Sequence, residues 1–260
     1  MEAWKENQDL AALRQLMAEQ GRGQQAAELD RLLQQMDTME RQLRAVSREL
    51  RMVKEQLASS GPPRPEQRFM AGLVQKLEGR LDSLREHMDA LRAHMADWAR
   101  DTLELFKQAG VSALDKALSA LNVKDGLEQI HTGIQSCMEA LRAGIHRVEQ
   151  IGDELRQAGA HLHSAGRAAA GKGPARRLDT TQEGRFQSGL LAPMRAAVRG
   201  LSHMNNAALA AIGSVERLEQ AAQAARKSSI REALAEKKAE VATRPAPDPV
   251  QARKPQEAAL

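Results

Sequence analysis

The sequence has no tyrosine, three phenylalanines and two tryptophans, so aromatic side chains are almost absent from its 260 residues. Valine and isoleucine together number only 16. Because β-sheet cores are built largely from β-branched and aromatic residues, these counts exclude a sheet as the main core. They also argue against a compact enzyme built around one large core.

Cysteine and long apolar runs are scarce as well. The single cysteine, Cys137, excludes an intramolecular disulfide framework and fits a reducing compartment. No segment approaches the roughly 18 consecutive apolar residues of a membrane-spanning helix. Residues 1–7 are polar and lack the basic start and apolar stretch of a secretory signal. We therefore expect a cytoplasmic protein.

What the chain does contain is alanine, leucine, glutamate, lysine and arginine, which together make up about half of it. This composition is typical of long helices and coiled coils. The 38 basic and 34 acidic residues nearly cancel. The modest apolar content is therefore better explained by narrow helical stripes than by disorder.

Apolar residues recur at alternating steps of three and four, which is the heptad pattern of packed helices. The pattern predicts helices at about 24–58, 66–109, 112–122 and 125–165. The residues predicted to line the helix seam are Leu29, Met36, Leu43, Leu50, Leu57, Leu77, Leu84, Leu91, Trp98, Leu105, Ile130, Ile134, Leu141, Ile145 and Val148. In the last of these helices the same stripe continues through Leu155 and Leu162.

The remaining segments complete an all-α, elongated fold. Residues 1–23 are predicted to form a short helix and a glycine-containing turn, which enters the next helix as an N-terminal helical hairpin. Residues 24–165 form a long-helix bundle or coiled coil. They are followed by a basic Gly/Ala/Arg linker at 166–184, a separate Ala-rich C-terminal helix at 185–240 and a proline-rich tail at 241–260 that is predicted to be disordered.

Two arrangements of the long helices remain open. Similar helix lengths and short connections favour an antiparallel bundle within one chain. The alternative is a parallel homodimeric coiled coil, in which Glu49 and Lys54 are placed for a pair between chains.

Positive charge is concentrated in residues 166–200, whose net charge is +5, whereas residues 1–165 carry a net charge of −3. Such a stretch could contact the phosphates of nucleic acid or of a membrane surface, and a solvated linker is the simpler interpretation. Its one aromatic residue, Phe186, does not support stacking on bases. The candidate polyanion contacts are Arg167, Lys172, Arg176, Arg177, Arg185, Arg195 and Arg199.

The histidines and the cysteine do not form a recognisable catalytic or metal-binding motif. His161 and His163 lie on different sides of a helix, and His87 and His94 lack a third ligand nearby, whereas zinc needs three or four. Cys137 falls on the apolar stripe, which favours a buried small hydrophobe. We therefore predict no catalytic residue, no metal and no cofactor.

Three short segments carry a resemblance to a known family: Met36–Glu40 at the start of the coiled coil, Gly166–Lys172 in the linker and Lys227–Glu232 near the end of the last helix. Together with the order of the helices, they resemble an uncharacterised helical family encoded in conjugative and integrative mobile elements of anaerobic Gram-positive bacteria. The resemblance implies a bacterial cytoplasmic protein without assigned catalytic residues.

From these features we predict a non-enzymatic interaction or scaffold protein, accessory to a mobile element. Its protein partner is unknown, and a second copy of the chain is one candidate. The alternatives are an accessory factor that binds nucleic acid through residues 166–200 and a peripheral membrane-associated helical protein that uses the same stretch.

Overall fold

The computed structural model describes Trp4 and residues 7–59, 65–118, 121–171 and 185–243. Within these ranges the chain forms helices and no strand, so the predicted all-α class is confirmed. The helices are α1 (Gln8–Glu19), α2 (Gly23–Ser59), α3 (Pro65–Ala109), α4 (Val111–Leu118), α5 (Lys124–Ala169) and α6 (Arg185–Thr243).

Local sequence signals account for several helix ends. The Asn7 side chain caps α1 by accepting a hydrogen bond from the Leu10 backbone N–H at 3.1 Å. After α1, Gly21 adopts a φ of 73° and the Arg22 N–H donates to the Met17 carbonyl at 2.8 Å. This left-handed glycine closes the helix and turns the chain directly into α2.

The four long helices form an up-and-down bundle in which sequential neighbours are antiparallel. Lys54 near the end of α2 binds Glu78 near the start of α3 at 2.9 Å. Further along, Arg92 of α3 binds Glu40 of α2 at 2.6 Å. The ion pair between Lys54 and Glu78 forms within one chain, and Leu43 is buried within that chain as well. The helical-bundle prediction is therefore confirmed, and the seam of α2 is not free to pair with a second copy.

Helices α3 and α5 pack through leucines of α3 that sit over glycines of α5. A Cβ on Gly133 would lie 2.7 Å from Cδ2 of Leu84, and one on Gly126 would lie 3.3 Å from Cδ1 of Leu91. Gly144 holds Leu73 even more tightly. Each glycine thus forms a notch for a leucine of the antiparallel helix, as knobs fill holes in helical packing.

Helix α6 closes the bundle between α5 and α2. Arg195 binds Glu149 of α5 at 2.8 Å, and the buried carboxylate of Glu28 on α2 accepts from Arg217 at 2.9 Å. The buried face of α6 is rich in small residues such as Ala197, Ala207, Ala208 and Ala211. A face of this kind lets α2 approach closely.

Most of the seam residues predicted from the sequence are buried in this bundle, while Leu57 and Ile145 are partly buried against it. Leu105 is a correction, because 49% of its surface is exposed. In the last turns of α3 the packed face has rotated to Ala99, Leu103 and Phe106. This rotation occurs where the short helices α1 and α4 pack against α3.

Helix ends also differ from the expected ranges. The helix predicted at 112–122 ends at Leu118, and Asn122 adopts a φ of 42°, which a continuing helix does not allow. Helix α5 continues to Ala169, four residues into the predicted linker, and α6 continues to Thr243, past the expected end at 240. The rest of the predicted linker, 172–184, and of the tail, 244–260, lies outside the described residues.

Among the helices that the structure describes, none has both the length and the apolar run required to cross a membrane.

Candidate interaction surface

The last turns of α5 extend beyond α3, which covers its earlier turns. Gly144 lies opposite Leu73. Because the two helices are antiparallel, Pro65 at the start of α3 lies level with about residue 152 of α5. The residues of α5 after this point are not covered by α3.

Along α5, the region covered by α6 ends slightly later than the region covered by α3. Arg195 pairs with Glu149, and α6 begins ten residues earlier at Arg185, level with about residue 159. We call residues 153–169 the α5 arm. It is about 25 Å long, flanked by α6 over its first two turns and extending beyond the other long helices thereafter.

The apolar stripe of α5 continues along this arm but is no longer covered. Leu155 is 56% exposed and Leu162 is 75% exposed, whereas Leu141 and Val148 earlier in the helix are buried. We call the continuation the arm stripe. It starts at Gly152, directly before the arm, and continues through Leu155, Gly159, Leu162, Gly166 and Ala169.

Two glycines of the arm stripe, Gly159 and Gly166, provide open notches. A Cβ built on Gly159 or on Gly166 would meet no heavy atom within 4 Å. The glycines of the same helix inside the bundle, Gly126, Gly133 and Gly144, are filled by leucines of α3. The arm therefore repeats the packing device of the bundle without the leucines that would fill it.

A second extension lies at the opposite end of the bundle. Arg217 of α6 pairs with Glu28 of α2, so the start of α2 at Gly23 lies level with about residue 222 of α6. Residues 223–243 of α6, which we call the α6 arm, continue past that point. Ile230 and Leu234 lie one turn apart on this arm, and each is 55% exposed.

In the part of the chain that the structure describes, the predicted polyanion contacts do not form one cluster, although Arg195 and Arg199 lie one turn apart on α6. Arg167 is half-buried on the α5 arm, Arg195 is in the pair with Glu149, and Arg199 is exposed on α6, level with about residue 145 of α5. Arg167 and Arg199 are thus separated by about 33 Å along the bundle. Arg185 is the first residue of α6, and Lys172, Arg176 and Arg177 lie outside the described residues.

A charged cluster that the sequence did not reveal lies between α2 and α3. Arg44 and Arg92 both bind Glu40, and the Arg92 guanidinium lies 4.9 Å from the ring centre of the buried Trp4. The Trp4 backbone N–H donates to Asp37 at 2.7 Å, which anchors Trp4 on α2. These contacts tie residues that are far apart in the sequence.

The electrostatics of this cluster favour a charged Glu40. Burial acts to raise the pKa of Glu40, but the hydrogen bonds and charges of Arg44 and Arg92 outweigh it and hold that pKa below its ordinary value. A cavity of about 290 Å³ adjoins the cluster and is bordered by Leu43 and Met88 as well. Because its charged groups are engaged in ion pairs, the cluster has a structural role and joins α2, α3 and Trp4.

Cys137 is fully buried, and this burial raises the pKa of its thiol although the nearby Arg80 acts in the opposite direction. Burial and a raised pKa both disfavour the reactive thiolate. His161 and His163 are exposed on the α5 arm, and His94 faces the Leu121 carbonyl at 3.1 Å. In the described ranges, no three histidine, cysteine or acidic side chains are grouped as metal ligands.

The fold and the surface together define an all-α up-and-down bundle with helical arms at both ends. The chain belongs to a family of unknown function, DUF6674, whose model matches residues 6–257. Comparisons with curated proteins and with solved structures find no match.

Proposed function

We propose that this protein is a non-enzymatic interaction or scaffold protein that binds other proteins through its helical arms. The observation that carries the proposal is the exposure of leucine and isoleucine on both arms, namely Leu155 and Leu162 on one and Ile230 and Leu234 on the other. When another surface covers apolar side chains that are aligned on a helix face, the free energy of the complex is lowered.

The position of the arms supports a bridging role. The α5 arm extends from the end of the bundle where α2 ends and α3 begins, and the α6 arm extends from the end that holds α1 and α4. The 37 residues of α2 between them correspond to about 55 Å. Two partners bound to the arms would thus be held apart by a rigid spacer.

The charged residues support a structural use of the bundle surface. Ion pairs such as Lys54–Glu78, Lys124–Glu216 and Arg195–Glu149 join different helices. A cytoplasmic location and an accessory role for a mobile element form part of the same proposal. The location rests on the sequence composition and on the resemblance, and the accessory role rests on the resemblance alone.

The proposal is tested by capturing partners from the source organism with the tagged full-length chain and with three variants. One carries Leu155→Glu and Leu162→Glu, the second carries Ile230→Glu and Leu234→Glu, and the control carries Leu105→Glu and Leu209→Glu. Leu105 and Leu209 are each 49% exposed, but they lie on the bundle body.

We expect a specific partner protein to be lost from at least one arm variant and retained by the control. Reconstitution of the complex from purified components should give the same order of affinities. The proposal is wrong if the wild type and all three variants recover the same set of proteins in equal amounts.

A further inference from the structure

The arm stripe has a feature that points to one particular partner. Its glycines and its leucines each recur every seven residues, with Leu155 and Leu162 alternating with Gly159 and Gly166. The stripe thus presents knobs and notches on a single surface. A surface that carries both halves of a contact is complementary to its own copy across a twofold axis.

We propose that two copies of this chain pair through their α5 arms in antiparallel orientation. In this register Leu162 of one copy enters the notch at Gly159 of the other, and Leu155 enters the notch at Gly166. The twofold axis repeats both contacts, so four leucines fill four notches. This inference deepens the proposed interaction role, on which it rests, by naming the partner of one arm.

The packing inside the bundle supports this pairing. Leu73, Leu84 and Leu91 of α3 fill notches on α5 from an antiparallel direction. The proposed partner arm would continue this interface along the same helix with the same residue types. The notch at Gly159 is open, and its leucine counterpart Leu162 is the most exposed large apolar residue described.

The length of the arm also fits a second copy. With Leu162 opposite Gly159, the tip of one arm at Ala169 lies opposite Gly152 of the other. Gly152 is the point where α3 begins to cover α5, because Pro65 lies level with it. Each arm therefore overlaps the whole extension of its partner, and its tip ends where the partner's bundle begins.

The charges of the α5 arm suit a second copy better than a polyanion. Asp153 and Glu154 balance Arg156 and Arg167, so the arm has no net charge when its histidines are neutral. Ala158 and Ala165 flank the arm stripe on one side and are exposed. Their small side chains let two helix backbones approach closely.

The first test is sedimentation of the purified full-length chain over a range of concentrations. The contact is about 25 Å long and lies near the lower limit of specific interfaces, so we expect a dissociation constant of about 10 to 100 μM. The double substitution Leu155→Glu and Leu162→Glu should raise the dissociation constant of the dimer at least about 100-fold. Each tenfold increase corresponds to a loss of about 1.4 kcal/mol of binding free energy.

The matched control carries Leu105→Glu and Leu209→Glu and should dimerise as the wild type does. The melting temperature of each variant shows whether it is folded. A wild-type chain that stays monomeric at about ten times the upper expected constant overturns the proposal, as does a dimer that survives in the folded arm variant.

The orientation is tested by disulfide cross-linking in a Cys137→Ala background, which removes the native thiol. In the antiparallel register, position 158 of one copy lies on the same flank of the interface as position 165 of the other, about 3 Å from the same level. A mixture of Ala158→Cys and Ala165→Cys chains should therefore form a mixed disulfide dimer, while each variant alone should cross-link far less. A sedimenting dimer without this mixed product overturns the antiparallel register.

These outcomes are independent of partner capture from cells. A dimer of the purified chain without any captured partner supports the inference and contradicts the wider scaffold proposal. Capture of a partner by a chain that is strictly monomeric supports the scaffold proposal and contradicts the inference.

Discussion

From Leu127 to Val148 the apolar stripe of α5 lies inside the bundle, where leucines of α3 fill its glycine notches. From residue 153 to Ala169 the stripe of the same helix continues as alternating leucine and glycine, but its leucines are exposed. The difference arises because α3 begins at Pro65, level with about residue 152. A heptad stripe thus indicates that a helix face is suited to a partner, but not which chain supplies it.

The largest difference between the two regions is expected for a buried charge. Leu84→Asp places an unpaired carboxylate in the core and should lower the free energy of unfolding by about 4 kcal/mol or more. The same change at Leu162 should alter it by less than about 0.5 kcal/mol, because the residue is exposed. Thermal and urea unfolding followed by circular dichroism measure both, and equal losses would contradict the assignment of the arm.

Replacing a glycine by alanine should lower the free energy of unfolding inside the bundle and raise it in the α5 arm. Gly133→Ala brings a Cβ within 2.7 Å of Leu84 and should destabilise the protein by about 1 to 3 kcal/mol. Gly159→Ala meets open space and should stabilise the helix by about 0.5 to 1 kcal/mol. Urea unfolding at low protein concentration distinguishes them, and destabilisation by Gly159→Ala would show that the arm is covered within its own chain.

The Glu40 cluster in the bundle should also make the stability of the protein depend on pH. Because the folded-state pKa of Glu40 is lowered, its contribution to stability is present above its ordinary pKa and is lost as the pH falls through the folded-state value. Glu40→Gln should cost about 1 to 2 kcal/mol at neutral pH and should flatten the loss of stability in acid. A matched Glu154→Gln change on the exposed α5 arm should alter the free energy of unfolding at neutral pH by less than about 0.5 kcal/mol.

The smallest effect is expected for the basic stretch at 166–200, for which binding of polyanions stays a prediction to be tested. Arg195 pairs with Glu149, and Arg199 lies about 33 Å from Arg167, so we expect no measurable binding of duplex DNA or anionic vesicles. Should DNA bind through four or five contacts, log affinity would fall with log salt with a slope of about −4. Replacing Arg167, Lys172, Arg176 and Arg177 by alanine would then reduce that slope.

The sequence predicted the fold class and most of the buried seam because heptad spacing follows directly from helix geometry. Leu105 was misassigned because the packed face of α3 rotates where α1 and α4 join it, which spacing alone does not reveal. The pairs Glu28–Arg217 and Glu40–Arg92 join residues from different helices, and one sequence carries no signal for them.

The sequence predicted only part of the surface at the end of α5. The stripe through Leu155 and Leu162 was part of the predicted pattern, but its exposure depends on where α3 starts relative to α5. That register is set by the packing of Leu73 on Gly144, a contact between residues 71 positions apart. It therefore emerged only with the tertiary structure.

The most direct test of the account is hydrogen exchange along α5 at two protein concentrations. In dilute solution, amides of residues 127–148 should exchange slowly, whereas those of residues 160–169 should exchange much faster, because the bundle does not cover them. At a concentration well above the expected dissociation constant, the arm amides alone should slow several-fold. An arm that is as well protected as residues 127–148 in dilute solution, or unaffected by concentration, would contradict the account.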